Sequence, residues 1–250
     1  FMWFATNNGL TRYDGNRFAI YKADHKNPGS ISCNTIFALT SDETMLWIGS
    51  REGVDRYDTL LDKFSHYNRG IDQAGDTVAL TRVMDILVCK NTVWVAAAQG
   101  LFHYDWERQV FRMHHSEILQ GREMLCLTSD RYGRLFIGTN RGILLFDPDS
   151  DAFSVFSYAE EIQRRRITAL LFEDNCLWIG SKTGCFMINQ STGTVREITC
   201  DGAKLYRISA ILRDSQHNIW ISSRENGVYK ISDGKVMHIV HNPRDPASLS

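Results

Sequence analysis

One segment of thirteen residues returns six times along this chain of 250 residues. MWFATNNGLTRYD (Met2 to Asp14) recurs as LWIGSREGVDRYD (Leu46 to Asp58), VWVAAAQGLFHYD (Val93 to Asp105), LFIGTNRGILLFD (Leu135 to Asp147), LWIGSKTGCFMIN (Leu177 to Asn189) and IWISSRENGVYKI (Ile219 to Ile231). The anchoring aromatics Trp3, Trp47, Trp94, Phe136, Trp178 and Trp220 stand 44, 47, 42, 42 and 42 residues apart. A fixed period of that length means that each unit buries its apolar face against the next copy, as solenoids and propellers do.

Each copy reads as a β-hairpin: an apolar strand rich in Trp, Ile and Val, a short polar turn, and a second strand ending in Tyr-Asp or its like. Gly9, Gly53, Gly100, Gly142, Gly184 and Gly227 close the turns, where positive φ is expected, and the sixth turn carries one extra residue, Asn226. From the second copy onward a further apolar element precedes the hairpin, often with an acid three residues after its last apolar position. It is seen as Ile36, Leu39 and Asp42; Met124, Leu127 and Asp130; Ile167, Leu170 and Glu173; Ile208, Ile211 and Asp214. The third copy keeps Val83 and Ile86 but has Cys89 in place of the acid. A fourth element follows each hairpin, as in Lys63 to Tyr67, Val110 to His114 and Ala152 to Phe156.

Four short strands per repeat is the arithmetic of a propeller blade, and no stretch holds a helical apolar period over three turns. The fold class is therefore all-β, a β-propeller of four-stranded blades, with residues 1–250 forming one partial propeller domain. The aromatic column fills the space between neighbouring blades. With strands lettered A to D from the centre outward, the chain opens in a strand B and stops just before a strand A. PASLS (Pro246 to Ser250) matches PGSIS (Pro28 to Ser32), which leads into strand A of the second copy. The ring needs either six blades completed by residues beyond Ser250 or seven blades, of which seven is the expectation. With Phe1 in first place and no leader before the fold, the segment reads as a piece of a longer protein.

Composition narrows the function. Twenty-eight basic residues against 29 acidic ones leave a net charge of -1, so no broad footprint for nucleic acid exists. The apolar runs are far shorter than the roughly 20 residues a bilayer span requires. The six cysteines show no CxxC pair or metal-ligand spacing, and they do not fix a redox compartment. Cys126 stands where other copies have Ala38, Ala169 and Ala210, and reads as a small buried hydrophobe.

LWIGSREGVDRYD, the following DKFSHY and the loop HNPRDPASLS closely resemble the two-component regulator propeller repeat. That repeat is found in periplasmic sensor regions of hybrid two-component systems of Bacteroides-type bacteria, and the opening FMWFATNNGLTRYDGNRF looks like an early blade of such a sensor. The match covers essentially the whole chain, though Ala97 replaces the usual Ser or Thr and Phe136 the usual Trp. The resemblance implies two seven-bladed propellers, a β-sandwich domain, a transmembrane helix, a histidine kinase, a receiver and a DNA-binding output domain in the full protein. It further implies homodimers and an oligosaccharide ligand whose binding outside the membrane turns on glycan-utilisation genes.

In a propeller the turns between strands B and C share a face with the loops entering strand A, and ligands bind there. That face would present Asn7, Asn8, Arg51, Glu52, Gln99, Asn140, Arg141, Lys182, Arg224, Glu225 and Asn226. Amides and guanidinium groups offer several fixed donors to sugar hydroxyls and carboxylates, although turns are also polar simply because they meet water. The residue before strand A is Thr35, Arg82, Glu123, Arg166 and Arg207 in successive blades, with Arg164 and Arg165 beside one of them. Arg82, Arg166 and Arg207 at equivalent positions favour a carboxylate or sulfate, hence an acidic or sulfated oligosaccharide. Asp85 takes a strand A position that is small in other copies, and reads either as a structural acid satisfied by water or as a cation ligand.

No catalytic residue, metal ligand or cofactor emerges. Asp14, Asp58, Asp105 and Asp147 end strand C, and Asp42, Asp130, Glu173 and Asp214 follow strand A. An acid repeated in every blade bonds turn amides, whereas glycoside hydrolysis needs one isolated pair of carboxylates. His114 and His115 are adjacent and face opposite sides of a strand, and His25 and His241 sit in equivalent loops before Asn-Pro, which argues for turn structure. No GxSxG, HExxH or phosphate loop occurs. The alternatives to a sensor are a propeller enzyme acting on polysaccharide, a lyase or glycosidase, and a protein-interaction scaffold without the WD signature.

Overall fold

The computed structural model describes residues 1–42, 44–157, 160–244 and 248. Of the match between PASLS and PGSIS, every residue of the second loop except Ser248 lies outside them. The chain divides into two compact units, residues 1–124 and 125–250, each built from three blades of the β-propeller type.

In the first unit, blade one holds β1 (Met2–Thr6), β2 (Gly9–Tyr13) and β3 (Phe18–Tyr21), and blade two holds β4 (Ile36–Asp42), β5 (Met45–Ser50), β6 (Val54–Asp58) and β7 (Lys63–Tyr67). A hairpin of β8 (Arg69–Ile71) and β9 (Thr77–Ala79) precedes blade three, made of β10 (Asp85–Cys89), β11 (Thr92–Ala96), β12 (Leu101–Asp105) and β13 (Val110–His114). In the second unit, blade four holds β14 (Met124–Ser129), whose first residue is the last of the first unit, β15 (Leu135–Thr139), β16 (Gly142–Asp147) and β17 (Ala152–Val155), followed by the single-turn helix α1 (Glu160–Gln163). Blade five holds β18 (Ile167–Glu173), β19 (Cys176–Ser181), β20 (Cys185–Asn189) and β21 (Val195–Glu197). A small hairpin of β22 (Thr199–Cys200) and β23 (Ala203–Lys204) leads to blade six, β24 (Ile208–Arg213), β25 (Ile219–Ser223), β26 (Gly227–Ser232) and β27 (Lys235–Ile239).

In the meander of each blade neighbouring strands follow sequence order and pair antiparallel, as β4 to β7 do in blade two. Two blades depart from four strands. Blade one has three, and blade three has six, because β8 adds to the outer edge of β13 in parallel and carries β9 with it. This insertion accounts for the 47-residue spacing between Trp47 and Trp94 and covers an edge that would otherwise be open to foreign strands.

The aromatic column does fill the layer between blades. Trp47 is fully buried and packs on Tyr104, Trp106 and Phe111 of blade three, with centroid distances of 5.1, 6.0 and 6.1 Å. Phe136 stacks at 5.5 Å on Phe172 of blade five. The indole N–H of Trp47 donates to Asp42 at 2.9 Å and that of Trp220 to Asp214 at 2.8 Å, so the acid after strand A anchors the ring. In blade four, where Phe136 has no N–H to donate, Asp130 instead takes the Arg134 guanidinium at 2.7 Å.

A second device locks blades together. Gly49, Gly138 and Gly180 of strand B lie opposite or against the small strand A residues Ala38, Cys126 and Ala169. Each pair forms a slot that receives a β-branched residue of the next blade: Val83, Ile167 and Ile208. A Cβ on Gly49 would stand 2.6 Å from Val83, and one on Gly180 2.5 Å from Ile208. Cys126 is thus the small buried hydrophobe expected of its position.

Five of the six turn glycines have positive φ, namely Gly9, Gly53, Gly100, Gly142 and Gly227. Gly184 does not; a Cβ there would meet the Phe186 ring at 2.7 Å, so space and not backbone conformation calls for glycine. A hydroxyl ending strand B closes four of the turns: Thr6, Ser50, Thr139 and Ser181 donate to the carbonyls of Gly9, Gly53, Gly142 and Gly184. Each also accepts the amide two residues on. Ala97 forgoes both bonds. Replacing Thr139 by valine keeps the shape and removes the donor, and is expected to cost about 1 kcal/mol of unfolding free energy in urea titrations.

Candidate ligand-binding site

Within each unit the turns between strands B and C are hydrogen-bonded to the entry of the next strand A, so the two sets of residues share one face as the sequence suggests. Gly9 N donates to Asn34 O at 2.8 Å, Arg82 N to Arg51 O at 2.9 Å, Gly142 N to Arg165 O at 2.8 Å and Arg207 N to Lys182 O at 2.9 Å.

In the first unit this brings Arg51 and Arg82 together, both exposed, with the carboxylate of Glu52 beside Arg51 in the same turn. Asn7 and Asn8 form the exposed turn of blade one. Gln99 is bound to Thr81, accepting its amide at 3.1 Å and donating to its hydroxyl at 2.9 Å. In the second unit Arg207 pairs with Glu225 at 3.0 Å, and its carbonyl accepts the Arg224 amide. Arg165 donates to the Thr183 hydroxyl and lies 4.9 Å from the Phe186 centroid, while Arg166 immediately precedes β18 on the exposed surface. Asn140 and Arg141 sit in the turn before Gly142, and Asn226 accepts from Tyr206.

Arg82 and Arg207 share a further property. Both have left-handed backbones, with φ of 49° and 51°, a conformation uncommon for arginine. Strained backbone of this kind gathers where side chains are set for function. Arg166 is not among the positive-φ residues.

The repeated acids are occupied by turns. Asp14, Asp58, Asp105 and Asp147 accept the amides of Asn16, Leu60, Glu107 and Asp149, and Asn189 does the same for Ser191. Asp214 accepts from Trp220 and Asn218 and from the amides of Asn218 and Gln216, which draw its pKa down to about 2. Glu173 differs, pairing with Arg213. Asp85 is half-buried opposite Ala96 and accepts the Ile86 amide at 2.9 Å. Among the described residues no group of three His, Cys, Asp or Glu side chains could hold a metal. The cysteines are all free, and burial pushes the Cys185 thiol up to about 12, out of nucleophilic use at neutral pH.

The loops holding His25 and His241 are turn structure, as their sequence suggests. The loops are equivalent: Asp24 N donates to Ser30 Oγ at 2.9 Å just as Asn242 N donates to Ser248 Oγ at 2.8 Å, and Asp24 and Asn242 each accept the amide two residues on. In that register His25 aligns with Pro243 and His241 with Ala23.

Sequence reasoning passed over Asp55. It is buried, at 1% exposure, and bonded to His66 and Ser32, both of which line a cavity of 540 Å³ in the first unit. The available signal was the column itself, where Asp55 aligns with Phe102, Leu144, Phe186 and Tyr229.

No family model matches the sequence, and no curated protein matches it. Solved structures do. The extracellular domain of BT3049 from B. thetaiotaomicron, described as a hybrid two-component system, aligns with a TM-score of 0.81 at 22% identity, over 99% of this chain and 34% of that one. The extracellular domain of BT4673 from the same organism aligns with a TM-score of 0.78 at 20% identity, over 99% and 33%. Virginiamycin B lyase from Staphylococcus aureus is more distant, with a TM-score of 0.60 at 13% identity over 83% and 71%. The chain spans about a third of the two extracellular domains, and over 99% of its own length it shares their β-propeller fold.

Proposed function

We propose that this chain is part of the extracytoplasmic, periplasmic sensor region of a hybrid two-component signalling protein, and that it binds a glycan-derived oligosaccharide without transforming it. The observation that carries the reading is the fold shared along 99% of the chain with extracellular domains of such systems. The occupation of the repeated acids by turn amides supports binding over catalysis, since glycoside hydrolysis needs two carboxylates free for the scissile bond. In the full protein the partners are a second propeller, a β-sandwich domain and a second copy of the protein, and the output is transcription of glycan-utilisation genes.

The exposed arginines favour a ligand bearing carboxylate or sulfate, with Arg82 and Arg51 acting in the first unit and Arg166, Arg207, Arg224 and Arg141 in the second, and with Asn7 and Asn140 as further donors. The Arg82→Ala/Arg166→Ala/Arg207→Ala variant is expected to lose about 10-fold or more in affinity for acidic glycans by calorimetry, because one charge-assisted hydrogen bond is worth roughly 1.5–3 kcal/mol. Unchanged affinity for every anionic glycan would end the arginine assignment.

A further inference from the structure

Blade two differs chemically from its copies at one cross-strand pair. Asp55 of β6 faces His66 of β7, where blade three has Phe102 and Met113 and blade four Leu144 and Val155. A buried carboxylate in an apolar column must be compensated. Asp55 Oδ2 accepts the Ser32 amide at 2.8 Å and its hydroxyl at 3.0 Å, and Oδ1 lies 2.8 Å from His66 Nδ1. The other ring nitrogen, Nε2, lies 2.9 Å from the Pro28 carbonyl. Both ring nitrogens therefore face acceptors, and only the imidazolium can donate to both. The hydrogen bond to Asp55 raises the His66 pKa above its ordinary 6.5, helped by the Pro28 carbonyl and opposed by burial.

This clasp ties residues 28–32 of the loop entering β4 to the body of blade two. The same loop walls the cavity of 540 Å³, whose lining includes Asn34, Thr35, Glu52, His66, Tyr67 and Asn68. The size falls in the range of small-molecule sites, and Tyr67 with Val54 supplies an apolar wall opposite polar groups. The side chains of Glu52, Thr35 and Asn68 make no hydrogen bond or ion pair among the described residues. A carboxylate, a hydroxyl and an amide left open around an apolar wall suit the alternating C–H and O–H faces of a sugar ring. The charged and titratable groups that line this cavity and the smaller hollow beside it with His66 are Glu52 from the β5–β6 turn, Tyr67 of β7, and Asp24, His25 and Cys33 from the loop, with Asp55 behind the His66 ring; no lysine or arginine lines them. An anionic sugar would meet the Glu52 carboxylate, while the charge of His66 is already matched by Asp55.

We propose that this cavity is a subsite for a saccharide unit without a carboxylate or sulfate of its own, and that protonated His66 holds its wall in the binding position. The proposal rests on the saccharide-sensing reading above and places a second contact apart from the arginines. The sign follows from the raised value: the clasp is complete below about pH 6.5, the ordinary histidine value, and is lost as pH rises through the higher value of the folded protein.

Calorimetry of the chain with short neutral oligosaccharides (maltose, xylobiose, mannobiose, chitobiose), with glucosamine and with glucuronate, at about pH 5.5 and about pH 8.5, tests it. A probe lacking an acid group is expected to bind several-fold more tightly at the lower pH. Glu52→Gln combined with Asn68→Ala is expected to weaken it about 10-fold, and His66→Gln to remove the pH dependence. Nitrogen NMR of the His66 ring reads the clasp directly, with both ring nitrogens protonated at the lower pH. Binding that ignores all three substitutions, or that is confined to glucuronate, overturns this subsite and leaves the sensor reading standing. Failure of every saccharide, charged or neutral, to bind overturns both.

Discussion

Trp47→Ala is expected to lower the unfolding free energy by about 3–5 kcal/mol, the cost of deleting a fully buried aromatic ring. The indole has no exposure, touches Tyr67 within its own blade and Tyr104, Trp106 and Phe111 in the next, and carries the N–H that satisfies Asp42. Its removal leaves a cavity in the blade two–blade three layer and a carboxylate with one partner fewer. Trp220→Ala, at the equivalent repeat position, is expected to cost less than half as much, because Trp220 is only half-buried and one of its faces meets Lys230 at 5.3 Å. Urea titration of the two variants measures the difference. Equal costs would mean that burial between blades is not what the column provides.

The second large effect comes from adding atoms. Gly180→Val is expected to cost at least about 1–3 kcal/mol, the usual range for overpacking a core. Its Cβ alone would stand 2.5 Å from Ile208 Cγ2 and 3.1 Å from Ala169 Cβ, and all three backbones belong to hydrogen-bonded strands. Gly29→Ala, whose Cβ would meet only the Asn27 side chain at 3.3 Å on the surface, is expected to change stability by less than about 0.5 kcal/mol. Thermal unfolding of the pair separates a glycine required by the fit between blades from one that is not.

Much of the fold could be read from the residues because it is written six times. The Trp, the hydroxyl, the glycine and the terminal acid recur at fixed spacing, and each has a local job that the sequence pattern exposes: ring packing, turn closure and turn-amide binding. Features that depend on a single copy were not visible. The parallel docking of β8 on β13 needs knowledge of an edge in space, and the 47-residue gap announced only that something was inserted. Gly184 looked like its equivalents, yet its reason lies in the Phe186 ring two residues on. The role of Gly49, Gly138 and Gly180 depends on side chains some 30 residues away in the next blade.

The site follows the same division. That turns and strand A entries share a face was legible, and the backbone bonds from Arg82 to Arg51 and from Arg207 to Lys182 show it. The engagement of Arg207 with Glu225, and of Arg165 with Thr183, was not, because nothing in a turn sequence says which charges meet. Asp55 hid as one more polar residue in GVDRYD, and only its alignment with Phe102, Leu144, Phe186 and Tyr229 marks it as an acid placed inside a core.

The proposal on which the function rests is that this propeller recognises a saccharide and leaves it unchanged. Calorimetry of the chain against a panel of acidic, sulfated and neutral oligosaccharides, with the same samples analysed afterwards by chromatography, tests it most directly. The expected result is saturable binding of at least one of them with every recovered glycan intact; cleavage of any glycan, or no binding by the whole panel, would contradict it.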